Sequence, residues 1–190
     1  MAKVAICGKM ASGKTTLAER FVSEYSDFGR FSLADAVKKF ARFVYDIPEG
    51  HKDRVAFQKI GDGARRHLYE DIWIHTLFNE VAHHEAVANN DGFIKHFVVD
   101  DVRYLNEVIK MKADGWLLVK LDISDNLQIE RLKNAYPDDW ETHVGARNHS
   151  SEAEVDEIPE GLFDVILTAS NNEDSFDQLN EFITSMVVSG

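Results

Sequence analysis

Residues 8–15 read Gly-Lys-Met-Ala-Ser-Gly-Lys-Thr and fit the pattern G-x-x-x-x-G-K-[ST] at every fixed position. A short apolar run, residues 3–7, comes directly before this segment, and apolar residues at helical spacing follow it. Glycines allow such a loop to wrap so that successive backbone N–H groups point inward, and the following helix adds its positive end. The pattern therefore predicts a strand, an anion-binding loop and a helix in succession, which favours an α/β fold.

The same pattern assigns expected roles to single residues of the loop. Lys14 is expected to reach the β- and γ-phosphates of a nucleoside triphosphate, and the Thr15 hydroxyl is expected to hold Mg²⁺. The residues expected to cradle the phosphates are Gly8, Ala11, Ser12, Gly13, Lys14, Thr15 and Thr16. The sequence contains neither the Asn-Lys-x-Asp guanine site nor the Asp-x-x-Gly turn of a GTPase switch. ATP and Mg²⁺ are therefore the expected cofactors.

Apolar segments and amphipathic segments alternate along the rest of the chain. The segments that predict strands are residues 3–7, 31–33, 96–99, 116–123 and 163–168. Those that predict helices are residues 15–25, 34–45, 55–68, 71–87, 106–113, 126–135 and 174–187. This alternation predicts one α/β domain over residues 1–190, a three-layer sandwich with a parallel sheet of about five strands.

Charge and cysteine content narrow the class of partner. The chain carries 21 Lys and Arg against 33 Asp and Glu, a net charge of −12, and has no apolar run near the length of a membrane span. These features argue against a nucleic-acid polymer or an anionic membrane as partner, because such binding requires many neutralised phosphates. A single cysteine, Cys7, excludes an internal disulfide framework. We therefore expect a reduced, cytoplasmic protein that binds small molecules.

The predicted third strand ends in a group of charged residues, Asp100, Asp101 and Arg103. Ligands of open α/β sheets bind at the carboxyl ends of strands, so the two carboxylates are candidate magnesium-site residues. Arg103 is a candidate to hold a phosphate through two parallel hydrogen bonds. In the alternative interpretation the acids cap the next helix and Arg103 pairs with one of them.

Residues 101–107, Asp-Val-Arg-Tyr-Leu-Asn-Glu, closely resemble the D-V-R-[FY]-x-N-E segment of bacteriophage-type deoxynucleoside monophosphate kinases. Three further segments agree with that family in order and spacing: residues 31–38, residues 58–61 followed by Arg65, Arg66 and Trp73, and the H-x-S-E match ending at Glu152. Together with the loop they span the chain from residue 8 to about residue 152. The layout is also similar to that of animal-type phosphomevalonate kinases.

This resemblance implies a P-loop nucleoside monophosphate kinase, adenylate-kinase-like in fold, with an acceptor-binding insert near residues 34–88 and a lid near residues 127–150. It implies an acceptor site formed by Asp35, Lys38, Arg65, Arg66, Trp73 and Arg103. It also implies that Arg131 and Arg147 close on the transferring phosphoryl group, and it puts Asn171 in the loop near adenine. Two alternatives remain open, since Asp35 would also cap a helix and Arg131 would also suit a solvated helix face.

Residues 136–161 are polar, acidic and rich in turn formers, so they are predicted to be a loop or lid, with residues 152–160 as a solvated face.

The expected reaction is ATP plus a deoxynucleoside monophosphate giving ADP plus the diphosphate. The protein is also a candidate homodimer. One alternative is a kinase for another phosphorylated metabolite, of the phosphomevalonate or dephospho-coenzyme A type. Another is a nucleotide-binding switch without an acceptor.

Overall fold

The protein's structure, a computed structural model, describes residues 1–48, 54–91, 96–145, 150–169 and 172–188. One sheet contains the five strands of this described part: β1 (Lys3–Cys7), β2 (Phe28–Phe31), β3 (His96–Val102), β4 (Leu117–Asp122) and β5 (Val165–Thr168). Their order in the sheet is β2-β3-β1-β4-β5, and every pairing is parallel. The predicted α/β class and the five-stranded parallel sheet are therefore confirmed.

Helices connect the strands because parallel neighbours require a crossover between them. The described helices are α1 (Lys14–Glu24), α2 (Leu33–Tyr45), α3 (Arg54–His67), α4 (Ile72–Asp91), α5 (Leu105–Ala113), α6 (Asp125–Ala135), α7 (Trp140–Gly145), α8 (Ser150–Glu157) and α9 (Asn172–Val188). The connection that leaves β1 runs to β2, at one end of the strand order. The connection that leaves β3 runs in the opposite direction, to β4. In sheets of this kind ligands bind in the crevice outside the carboxyl ends of the strands, at such a reversal.

The sheet separates two apolar cores, because successive side chains of a strand point to opposite faces. In β1, Ala5 and Cys7 belong to one core, whereas Val4 and Ile6 belong to the other. The first core takes its helical members from α2, α3, α4, α5 and α8, including Val37, Ala64, Leu77, Met111 and Val155. The second core is closed by α1 and α9, through Leu17, Phe21, Leu179 and Ile183. Both faces of the sheet are thus covered.

Three sequence-based expectations about local structure are wrong. The second strand is Phe28–Phe31 and not residues 31–33, because Leu33 begins α2 and its amide is bound by a carboxylate of β3. Residues 136–161 are not a continuous loop, since they contain α7, α8 and a 3₁₀ turn at Glu160–Leu162. Nor are residues 152–160 a solvated face.

The acidic helix α8 has an inner side as well as an outer side. Glu152, Val155 and Ile158 are 3%, 1% and 2% exposed and recur every three residues, which places them on one face of a helical turn. Of the charged residues between them, Asp156 and Glu157 are exposed and Glu154 is half-buried. Net charge alone therefore gave the wrong prediction for this segment, because the three buried positions follow helical spacing.

None of the helices in the described residue ranges is both long enough and apolar enough to cross a lipid bilayer.

Candidate phosphate-binding site

The loop of residues 8–15 connects the carboxyl end of β1 to the start of α1. A Cβ atom at Gly8 would lie 2.6 Å from the backbone oxygen of Leu121, so a side chain there would push the loop away from β4. Ala11 and Gly13 have φ angles of 61° and 102°, in the left-handed region. These left-handed residues lead the loop into the start of α1. The first amides of a helix have no partner within the helix, and such a start can bind an anion.

The side chain of Lys14 folds back onto the loop of residues 8–15. Its Nζ donates to the Lys9 carbonyl oxygen at 2.6 Å and lies 3.4 Å from the Ser12 hydroxyl. The residue is 6% exposed, and this burial, together with the positive charge of Arg103, lowers the pKa of Lys14 to about 7. Burial thus disfavours the charged form of this lysine. Thr15 and Thr16 are exposed at the start of α1.

Helix α6 supports the loop from its carbonyl side. Arg131 Nη1 donates to the carbonyl oxygens of Ala11 and Ser12 at 3.1 and 2.8 Å, and Gln128 Nε2 donates to that of Met10 at 2.9 Å. Arg131 is therefore in contact with the loop backbone, and its expected action on a phosphoryl group remains a prediction. Arg147 and Asn171, which the sequence also selected, lie outside the described residues.

The two aspartates at the end of β3 have different environments. Asp100 is 2% exposed, and its Oδ2 accepts a hydrogen bond from Arg30 Nη2 at 2.9 Å. Its Oδ1 is buried and has no hydrogen-bond partner within the described residues. A buried carboxylate oxygen left in this state suits a magnesium ion or a water molecule bound to one. Asp100 thus offers a hard oxygen donor of the kind that Mg²⁺ prefers, and Thr15, exposed at the start of α1, carries a hydroxyl of the same kind.

Asp101 is used by the protein backbone. Its carboxylate accepts hydrogen bonds from the Ser32 hydroxyl at 2.7 Å and from the Leu33 and Ala34 amides at 2.8 Å each. Burial is the main cause that raises the pKa of Asp101, and the charge of Asp100 adds to it, whereas these three hydrogen bonds oppose the shift. The carboxylate thus caps α2 from the strand that neighbours β2, and its role in binding metal stays a prediction.

Arg103 connects the loop to the end of β3. Its Nη1 donates to Glu152 Oε1, and Glu152 Oε2 accepts a hydrogen bond from the Met10 amide at 2.7 Å. Arg103 is therefore paired with an acid in this structure, and that acid is Glu152 of α8. The alternative interpretation of the sequence expected pairing with Asp100 or Asp101 instead, and neither is the partner of this ion pair.

Glu107 connects the backbone of Arg103 to the side chain of Arg65. Its Oε2 accepts hydrogen bonds from the Arg103 and Tyr104 amides at 3.0 and 3.1 Å, and its Oε1 accepts one from Arg65 Nη2 at 2.9 Å. The Arg65 guanidinium also lies 4.5 Å from the centroid of the Tyr104 ring. Arg65 is consequently held in place, whereas the side chain of Arg66 is exposed.

Arg65 and Arg66 line a cavity of about 480 Å³ that lies close to the end of β3. Its lining residues are Asp62, Arg65, Arg66, Glu70, Tyr104, Asn106 and Glu154. The wall combines cations that can bind an anion with carboxylates that can accept hydrogen bonds from hydroxyl or amino groups. A second cavity of about 520 Å³ adjoins the loop and is lined by residues including Lys9, Gln128 and Asp156.

The other residues expected to bind the acceptor substrate differ in how far they are buried. Asp35 and Lys38 form an ion pair of 2.8 Å on the exposed side of α2. Trp73 is 3% exposed, and its Nε1 donates to the Gly61 carbonyl oxygen at 3.0 Å, so the indole ties α4 to α3. Neither contact tests the expected binding role of these three residues.

Sequence reasoning missed three residues of the site: Glu107, Gln128 and Glu152. Glu107 and Glu152 are each the last residue of a segment that carries the family resemblance. The resemblance could therefore have identified both as candidate site residues. Gln128 lies in a helix of ordinary composition, and its contact with the loop spans 118 residues of sequence. No local pattern points to it.

The sequence matches no protein-family model and no curated protein. The structure does resemble solved structures over nearly its whole length. A sugar kinase from Janibacter sp. HTCC2649 has a TM-score of 0.57 at 15% identity, covering 97% of this chain and 95% of that one. A shikimate kinase from Bacteroides thetaiotaomicron has a TM-score of 0.55 at 14% identity, covering 96% and 98%.

A third solved structure, the tunicamycin resistance protein of Deinococcus radiodurans, has a TM-score of 0.58 at 15% identity, covering 96% of this chain and 95% of that one. At identities this low, the comparison establishes a common fold and no more. The chain thus has the P-loop α/β fold of the shikimate-kinase type, which agrees with the fold expected from its sequence.

Proposed function

We propose that the protein is a kinase that transfers the γ-phosphoryl group of ATP to a deoxynucleoside monophosphate. The observation that carries this proposal is the position of Arg103 between two anion sites. Its side chain shares Glu152 with the phosphate-binding loop, and its backbone shares Glu107 with Arg65 of the cavity. One arginine thereby connects the donor loop to a cavity lined by further cations.

In the proposed mechanism the loop amides and Lys14 hold the β- and γ-phosphates, and Arg103 binds the group in transfer. Thr15 and Asp100 would hold Mg²⁺, which when bound supplies neutralising charge to those phosphates. Asp101 is also a proposed metal residue, although its oxygens cap α2. An oxygen of the acceptor phosphate attacks the γ-phosphorus, and the bond from that phosphorus to the β–γ bridging oxygen breaks.

This reaction requires no general base, because the attacking phosphate oxygen is already ionised at neutral pH. Positioning and charge neutralisation supply most of the catalysis. Asp35, Lys38, Arg65, Arg66 and Trp73 are proposed to form the acceptor site. Residues 34–88 would form the acceptor insert and residues 127–150 a lid that brings Arg131 and Arg147 to the phosphates, while Asn171 would lie near adenine.

A second candidate is a kinase for another small metabolite. Two of the structural neighbours are named as a sugar kinase and a shikimate kinase, and carboxylates line the cavity beside the arginines. Acceptors rich in hydroxyl groups suit those carboxylates. Phosphomevalonate and dephospho-coenzyme A, which carry a phosphate as well, also suit the arginines.

The proposal is tested by ADP release from Mg-ATP in a coupled assay. The acceptors are dTMP, dGMP, dCMP and dAMP, then phosphomevalonate, dephospho-coenzyme A and shikimate. We expect turnover with at least one deoxynucleotide, none with shikimate, and slow ADP release without acceptor, with Lys14→Ala as the inactive control. Turnover confined to a non-nucleotide acceptor would support the second candidate, and unchanged slow hydrolysis with every acceptor would favour a switch without an acceptor.

The pKa of Lys14 predicts that ATP binding takes up protons. A bound phosphate restores the lysine's charge and raises its pKa above the value of about 7 in the empty protein. At about pH 8 we expect uptake approaching one proton per ATP, so affinity falls as pH rises above about 7. Calorimetric titration in two buffers of different ionisation enthalpy measures this uptake. Equal heats in both buffers would contradict it, and Lys14→Met is expected to abolish the uptake.

A further inference from the structure

Glu152 is a buried carboxylate placed among the donors of the proposed ATP site. The residue is 3% exposed, accepts the Met10 amide through Oε2 and pairs with Arg103 through Oε1. A phosphate oxygen at the loop would use the same kind of partners, one backbone N–H and one guanidinium. The carboxylate therefore makes contacts of the type expected for the phosphate.

The position of Glu152 is fixed by the packing of α8. Val155 and Ile158 of this segment are buried in the core beside the sheet. On the outer side, Asp156 Oδ2 lies 2.7 Å from Lys9 Nζ, and Glu154 Oε1 accepts the Leu105 amide at 3.1 Å. Helix α8 is thus attached both to the phosphate-binding loop and to the start of α5.

The charges around Glu152 explain why the protein places an acid there. Arg103 and Lys14 are two basic residues at the phosphate-binding loop, and the charge of Arg103 disfavours the charged form of Lys14. Glu152 favours the charged form of Lys14 and pairs directly with Arg103. When a nucleotide brings its own negative charges, the carboxylate becomes a like charge beside them and a competitor for Arg103.

We propose that Glu152 is an internal substitute for the terminal phosphate, which compensates the site while it is empty and is displaced when ATP binds. The inference rests on the proposed function, since it requires the loop to bind a triphosphate. Displacement releases one of the bonds that hold α8 on the loop. The residue thus couples occupation of the donor site to the helix that follows the proposed lid.

The test compares Glu152→Gln with Glu157→Gln, a matched change at an exposed position of the same helix. Glutamine keeps an oxygen that accepts the Met10 amide but removes the charge that competes with phosphate. We expect Glu152→Gln to bind Mg-ATP and magnesium tripolyphosphate about tenfold more tightly than wild type, as measured by calorimetry. Glu157→Gln is expected to bind both as wild type does. Equal or weaker binding by folded Glu152→Gln overturns the inference.

Hydrogen–deuterium exchange of the wild-type protein tests the same inference without any variant, and it decides the matter if Glu152→Gln does not fold. Peptides from α8 are expected to exchange faster when Mg-ATP is bound, while peptides from the loop become protected. Unchanged or slower exchange in α8 overturns the inference. If wild type binds neither Mg-ATP nor tripolyphosphate, the proposed function fails and the inference with it. If wild type binds ATP and phosphorylates an acceptor, only the inference is at stake.

Discussion

Replacing Lys14 with methionine is expected to lower kcat/KM for the phosphoryl transfer by about 10³ and to leave the protein folded. Nζ of this lysine lies at the mouth of the loop, 2.6 Å from the Lys9 carbonyl oxygen, and is the loop cation predicted to meet the phosphates. Methionine fills a similar volume but brings no charge and no donor. Because burial already disfavours the charged lysine, its removal should not lower the melting temperature.

The matched control is Lys9→Met, which changes the other lysine of the same loop. Lys9 Nζ pairs with Asp156, whose side chain is 58% exposed, and surface ion pairs contribute little. We expect its kcat/KM to stay within about threefold of wild type. Steady-state kinetics with the best acceptor and melting curves of both variants provide the measurement. Equal losses in the two variants would show that the effect is general to the loop's charge and not specific to Lys14.

The features that a short stretch of sequence encodes were predictable. The strand, loop and helix around residues 8–15 depend on glycines and on apolar spacing within some twenty residues, and the structure has all three. Likewise, the alternation of apolar and amphipathic segments was enough to predict a parallel sheet, since parallel strands require crossovers. The fold class and the location of the loop follow from these local rules.

The contacts that complete the site were not predictable in the same way, because they join distant parts of the chain. Glu152 reaches the Met10 amide across 142 residues, and Asp101 reaches the Ser32 hydroxyl across 69. Composition described residues 152–160 as a solvated acidic face, whereas the position of Glu152 depends on how α8 packs against the sheet. The sequence supplied the chemical types of these residues, and only the fold supplied their partners.

The boundary of β2 shows how such a distant contact changes local structure. Residues 31–33 are apolar enough for a strand, yet the chain turns into a helix at Leu33. The Asp101 carboxylate binds the first free amides of that helix, Leu33 and Ala34, as a capping side chain does, but from another strand. The end of β2 is therefore determined by a residue of β3.

Replacing Asp101 with alanine is accordingly expected to destabilise the protein by about 3 kcal/mol. The change removes three hydrogen bonds and leaves the Ser32 hydroxyl and two helix amides without their acceptor. For a chain of this length the melting temperature should fall by about 6–12 °C. Denaturant titration measures the loss, and Asp101→Asn, which keeps one acceptor oxygen, should fall between alanine and wild type. A change below about 1 kcal/mol for alanine would contradict the capping role.

Asp100→Asn separates this structural role from metal binding. Asp100 has one buried oxygen that finds no hydrogen-bond partner among the residues that the structure describes, and its other oxygen is bound to Arg30. An asparagine oxygen can keep the contact with Arg30. We therefore expect this variant to need a higher Mg²⁺ concentration for half-maximal activity, with a smaller loss of stability than Asp101→Ala. If Asp101→Asn instead raised the Mg²⁺ requirement and Asp100→Asn did not, the metal role would belong to the residue that caps α2. Because the two carboxylates are adjacent and alike in chemistry, their different hydrogen-bond partners are the reason to expect different effects.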